Sequence, residues 1–232
     1  MQIACKTDVG LVREHNEDCC VIGEHFAIVA DGMGGHNKGE VASGIASDVL
    51  SEKFSNAESV GKELLVKAVE EANSCVYKEA LSNPDCAGMG TTVVAAVWDD
   101  KKVIIGHIGD SRAYEVSKNG ITLLTKDHTL VQALIDDGKL TLKEAENYPD
   151  RHVITRAVGT DPVESPDVVE IKRKKNHWLV LCSDGLTNHV TEAEIKECIE
   201  KTDDADKAVE TLVDMANSGG GTDNITVAVV RL

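Results

Sequence analysis

At 232 residues the chain exceeds the usual single-domain length of about 100 to 200, although a broad two-sheet domain takes up that much chain. Its 24 basic residues against 40 acidic leave a formal charge of −16, which repels phosphate backbones and excludes a nucleic-acid binder that lacks a strong basic patch. A hydrophobic share of 42% excludes disorder, and an aromatic share of 3% makes the core aliphatic.

Apolar residues at helical spacing begin with Val41, Ile45 and Val49, flanked by Ala42, Ala46 and Leu50. A second helix is predicted from Leu64, Leu65, Ala68, Val69, Ala72 and Val76, with Lys62, Glu63, Lys67, Glu70 and Glu71 facing water, and Asn83-Pro84-Asp85 ends it. Short β-branched runs follow at 91–98, 102–108, 112–116 and 121–124; with their short connectors, including Asp99-Asp100-Lys101, they read as an antiparallel meander. The pattern turns helical over 129–147 with a break at Gly138. Pro149, Pro162 and Pro166 then punctuate an irregular excursion from the sheets. Strand character returns at 168–171 and 178–182, and Lys172-Arg173-Lys174-Lys175 between them reads as a solvated hairpin tip. Thr191 with Glu194 makes a capping box for a helix to about Glu200. A further helix through Ala208, Val209, Leu212, Val213 and Ala216 stops at Gly219-Gly220-Gly221, and 225–232 is a closing strand. Paired helices between groups of strands, with no linker or repeat, predict one α+β domain with layered sheets over 1–232.

Seven cysteines without C-x-x-C spacing read as reduced thiols. No run of 18 apolar residues occurs and no leader opens the chain, so a cytoplasmic protein without a membrane segment is expected.

Three apolar strands end in an aspartate beside a small residue: Asp31-Gly32, Gly109-Asp110-Ser111 and Ser183-Asp184-Gly185. A fourth aspartate, Asp223, stands before the last strand. Any one of these is as well explained as a turn. Four together, converging on one sheet edge, would repel each other strongly unless a cation kept them ionised. Oxygen-only ligands select hard divalent metals, Mg²⁺ or Mn²⁺, over zinc, and the glycine after Asp31 lets its own carbonyl approach such an ion.

The segments Thr7-Asp8-Val9-Gly10-Leu11-Val12-Arg13-Glu14-His15-Asn16-Glu17-Asp18, Asp31-Gly32-Met33-Gly34-Gly35, Gly88-Met89-Gly90-Thr91-Thr92, Gly109-Asp110-Ser111-Arg112, Ser183-Asp184-Gly185 and Gly221-Thr222-Asp223-Asn224 resemble the ordered motifs of the bacterial PP2C (PPM) metal-dependent Ser/Thr protein phosphatases. The resemblance implies a four-layer α-β-β-α sandwich, two antiparallel sheets flanked by helix pairs, with a metal cluster in a cleft at one end. It implies that Asp31 bridges two core ions of Mn²⁺ or Mg²⁺, that Gly32 supplies a carbonyl, and that Asp184 and Asp223 complete the first ion's shell. Asp110 would join Asp184 in holding a third, weaker ion, while Asp18 and Glu17 would contribute through water. Arg13 offers a guanidinium fork for two phosphate oxygens; on its own it would read as a surface residue pairing with Glu14 or Glu17. Where many members carry His directly after Asp-Gly, this chain has Met33. His36 is therefore the candidate general acid, with His128 and His152 as weaker alternatives. Residues 138–166 correspond to the family's flap. The implied partners are phosphorylated proteins and a cognate Ser/Thr kinase, met by a monomer.

Other phosphate chemistries find no footing. No cysteine is followed by arginine at the sixth position, neither Gly-Lys pair continues into a P-loop, and no Gly-Asn-His motif is present. A binding module that kept the fold and lost turnover is opposed by the retention of Arg13, Asp31, Asp184 and Asp223.

Overall fold

The computed structural model describes residues 2–34, 38–145 and 148–232. Its strands are β1 (Ile3–Asp8), β2 (Asp18–Ile22), β3 (Phe26–Met33), β4 (Gly90–Thr91), β5 (Val93–Trp98), β6 (Lys102–Ile108), β7 (Arg112–Ser117), β8 (Gly120–Leu123), β9 (Asp167–Lys172), β10 (Trp178–Cys182) and β11 (Ile225–Arg231). One sheet runs β1-β11-β10-β7-β8 and the other β2-β3-β5-β6-β9, with β4 beside the end of β3. All these pairings are antiparallel.

Helices α1 (Gly39–Ser55) and α2 (Lys62–Ser82) cover the outer face of the second sheet, and α6 (Glu192–Lys201) and α7 (Ala205–Ser218) that of the first. The period of two along a strand assigns each residue its layer. On β3, Phe26, Ile28 and Ala30 face the α1/α2 pair, whereas Ala27 and Val29 face the opposite sheet. On β10, Val180 and Cys182 face α6 and α7, and Leu179 and Leu181 pack between the sheets. Three core layers therefore separate four layers of secondary structure, as the α-β-β-α expectation requires. Strands buried on both faces also explain why the central runs are continuously apolar rather than alternating.

Between β8 and β9 lie α3 (Leu130–Asp136) and α4 (Leu142–Ala145), which have no buried residue. The short α5 (Asp184–Thr187) follows β10 directly. The capping box at Thr191 is formed, with Glu194 N–H on the Thr191 hydroxyl and the Glu194 carboxylate on the Thr191 amide.

Two expectations need correction. The meander is two hairpins in different sheets: β5–β6 belongs to one, β7–β8 to the other, and the chain changes sheet at Gly109-Asp110-Ser111. Gly109 makes that step possible, with φ +105 and a Cβ position only 2.6 Å from the Thr92 side chain. The basic run 172–175 likewise joins β9 to β10 across the two sheets and is no hairpin tip. Lys174 there meets Glu115, and Arg173 meets Asp100. Two edge strands, β1 and β2, carry no clear apolar pattern and are not foreseen. They form because β11 and β3 offer free edges to pair with.

Candidate active site

The strand ends meet where the two sheets open. Asp31 near the end of β3, Asp110 at the sheet change, Asp184 just past β10 and Asp223 just before β11 all line one cleft of about 470 Å³. Arg13, Glu17, Gly32 and His152 line it too. Asp18 sits behind this wall, directly opposite Asp31 in the β2–β3 register. Like charges placed opposite each other on neighbouring strands destabilise a sheet.

The carboxyl groups feel that strain. Asp31 is held well above the ordinary carboxylate range, first by desolvation and then by Asp18, Asp184, Asp110 and Asp223. Asp110 is pushed up to about 7 by desolvation, with Asp184 and Asp127 adding to it. Desolvation raises Asp18 to about 6, and Asp184 is raised by desolvation and by Asp223. Glu17 is raised by desolvation and by Glu40. Buried carboxylates in this number are stable when protonated or when shared by cations. One atom points to the cation: Asp18 Oδ1 is buried without a hydrogen-bond partner, while its Oδ2 accepts from the Ser183 hydroxyl at 2.8 Å. The donor set is all oxygen and suits a hard divalent ion.

Arg13 reaches across the cleft to Asp223, Nη2 to Oδ2 at 2.9 Å, rather than pairing with Glu14 or Glu17. This bond holds the guanidinium even more firmly in its charged form. His36 lies outside the described residues. His152 lines the cleft, whereas His128 is turned toward Gly109, Arg156 and Asp167.

Three residues within the recognised motifs do orienting work that the sequence does not announce. Asn224 accepts from the Glu17 amide and donates to the Val9 and His15 carbonyls, which ties the loop carrying Arg13 to the start of β11. Ser183 bonds Asp18 and accepts from the Thr226 amide. Thr92 accepts from the Asp31 amide, donates its own amide to the Asp31 carbonyl, and pairs with Ser111. Asn224 and Ser183 each stand beside an aspartate in their motif, which is the available signal; Thr92 has no such neighbour. Cys182 packs in the core, its thiol pushed up to about 12 by burial, and all seven cysteines are free. Met89 is fully buried and Gly88 has φ +80, so Gly88-Met89-Gly90 is a structural turn.

A carboxylate-walled cleft with an arginine at its mouth thus lies at the open end of two stacked antiparallel sheets. Residues 13–221 match the family described as protein phosphatase 2C, and the chain belongs to that family. It is 38% identical to the serine/threonine phosphatase Stp of Listeria innocua, an alignment covering 100% of this chain and 96% of that protein. It is also 38% identical to the serine/threonine protein phosphatase PstP of Mycobacterium tuberculosis, covering 99% of this chain but 44% of that longer protein. The crystal structure of the Mycobacterium tuberculosis phosphatase PstP superposes with a TM-score of 0.93 at 37% identity, over 100% of this chain and 98% of that one. A PstP catalytic domain solved with two manganese ions gives a TM-score of 0.89 at 35% identity, over 98% of this chain and 96% of that one. Among the described residues no helix is long and apolar enough to cross a membrane.

Proposed function

We propose that the protein dephosphorylates phosphoserine and phosphothreonine in other proteins, at two core divalent ions held by Asp31, the Gly32 carbonyl, Asp184 and Asp223. The observation that carries this reading is the convergence of Asp31, Asp110, Asp184 and Asp223 with Arg13 on one cleft. Asp110 with Asp184 would hold a third ion, and Glu17 and Asp18 would act through water. When bound, Mn²⁺ or Mg²⁺ would lower the pKa of a shared water, supplying a hydroxide that could attack phosphorus with no phosphoenzyme.

Arg13 orients the phosphoryl group through its planar fork, leaving Asp223 for the substrate oxygens. The departing alkoxide needs a proton, which we assign to His36, histidine being the residue type best suited to proton transfer near neutral pH. His152, placed in the cleft wall, is the second reading; whichever His→Ala variant loses turnover of a phosphothreonine peptide identifies the donor. Both sheets furnish site residues, which supports one phosphatase domain over 1–232. His152 and Ile154 line the cleft, which supports reading 138–166 as a flap. We further propose a monomer that acts in the cytoplasm on phosphorylated proteins, a cognate Ser/Thr kinase among them.

The test is phosphate release from a phosphothreonine peptide across a Mn²⁺ series, with chelator and Asp184→Asn as controls. Hydrolysis that requires Mn²⁺ and disappears in both controls is expected. Absence of release by the unaltered protein at every Mn²⁺ concentration refutes the assignment.

A further inference from the structure

Beside the cleft, His107, His128 and Asp167 bring their donor atoms within 4.8 Å of one another. The rings of His107 and His128 stack at 4.7 Å, and His107 Nδ1 is buried without a partner. Such a trio invites a metal. The hydrogen bonds around His128 argue otherwise.

His128 holds Gly109 at two points. Its amide donates to the Gly109 carbonyl at 2.9 Å, and its Nδ1 accepts from the Gly109 amide at 3.1 Å. A neutral imidazole carries one proton, so a ring that accepts on Nδ1 is protonated on Nε2. Nε2 lies 3.4 Å from Asp167 Oδ2, the acceptor that faces that proton. Arg156 Nη1 also lies 2.9 Å from Nε2 and would donate there if the ring adopted the other tautomer. Only one of the two donors can be served. The Gly109 amide is fixed in the main chain, whereas the guanidinium also has Asp167 Oδ1 and Glu164 as acceptors. A protonated Nε2 has no lone pair for a metal, and the trio is short of one ligand.

We propose that His128 is a positioning residue that sets the Gly109-Asp110 turn, with Asp167 selecting the tautomer it needs against Arg156. Gly109 stands at φ +105, and Asp110 follows it into the cleft, so a two-point grip on Gly109 fixes where the Asp110 carboxylate is presented. The neighbouring Asp127 secures the far side of the same turn through its two-oxygen pairing with Arg112. The inference rests on the reading of Asp110 as a metal ligand. Groups that orient a ligand in this way typically govern affinity by about 10- to 100-fold.

Two measurements test it. In metal-free protein, long-range ¹⁵N–¹H correlation of the His128 ring should show the proton on Nε2, and Asp167→Ala should bring in the Nδ1-protonated form. A ring protonated on Nδ1 in the unaltered protein overturns the grip. Calorimetric Mn²⁺ titration then compares His128→Asn, whose side-chain oxygen can replace Nδ1 as acceptor, with His128→Leu, which cannot. The weakest Mn²⁺ step should loosen by about tenfold or more in His128→Leu and stay near the unaltered value in His128→Asn. Equal affinities in the two variants refute the proposal, since a merely structural role would shift their melting temperatures without separating their metal binding. Should His128→Leu fail to fold, the ring spectra and His128→Asn still decide. An unaltered protein that binds no Mn²⁺ and hydrolyses nothing would instead refute the phosphatase reading.

Discussion

Replacing Asp110 by Asn should stabilise the metal-free protein at neutral pH while weakening its metal binding. In the folded chain Asp110 titrates at about 7 instead of 3.8, principally because of desolvation and then the nearby Asp184. Below pH 3.8 both folded and unfolded states hold the proton, and the group leaves stability untouched. Between 3.8 and about 7 the folded state keeps a proton that the unfolded state has released, so stability falls as pH rises; above about 7 the loss is complete. The displacement from 3.8 to about 7, at about 1.36 kcal/mol per pH unit, amounts to on the order of 4 kcal/mol. Asn does not titrate. Urea unfolding in chelator, followed by the fluorescence of Trp98 and Trp178, should show the variant and the unaltered protein equally stable near pH 4. The variant should lead by on the order of 4 kcal/mol at pH 8. With saturating Mn²⁺ the order should reverse, because the carboxylate then has a cation to hold. A gap in chelator that does not widen from pH 4 to pH 8 refutes the electrostatic reasoning.

Gly32→Ala would bring a methyl group against the main-chain carbonyl oxygens of Gly39 and Glu17, neither of which can rotate away. A loss of about 1–3 kcal/mol in urea unfolding is expected, accompanied by weaker Mn²⁺ binding, and an unchanged midpoint would show that the backbone there yields freely. Arg13→Ala should leave the unfolding midpoint nearly unchanged, since the Arg13–Asp223 pair is largely exposed at the arginine. On a phosphothreonine peptide, kcat/KM should fall by about 10- to 100-fold, the range of a lost charge-assisted hydrogen bond, and an unaltered kcat/KM would remove Arg13 from phosphate binding.

Local physics makes much of this protein legible in its sequence alone. Helices α1, α2, α6 and α7 announce themselves because one face is buried and the other meets water, which imprints a 3.6-residue period on the sequence. The capping box at Thr191 is wholly local and forms as read. Asp31, Asp110 and Asp184 are legible because each ends an apolar strand beside a small residue, visible within a few positions, whereas Glu17 and Asp18 enter only through the family resemblance. Partnership across the chain is not. β1 and β2 draw their stability from β11 and β3, so their own sequence carries little sign of them. The change of sheet at Gly109 depends on which edge each hairpin finds, and an apolar run buried on both faces looks the same in either sheet. Arg13 meets Asp223, 210 positions away, rather than the glutamates beside it. The tautomer of His128 is set jointly by Gly109, Arg156 and Asp167. The sequence by itself thus determines which groups are acidic, which segments are apolar and where chain direction changes, because those depend on neighbours a few bonds away. Only tertiary structure decides which carboxylates share a desolvated space and what holds them there, because electrostatic coupling follows distance through space rather than position along the chain.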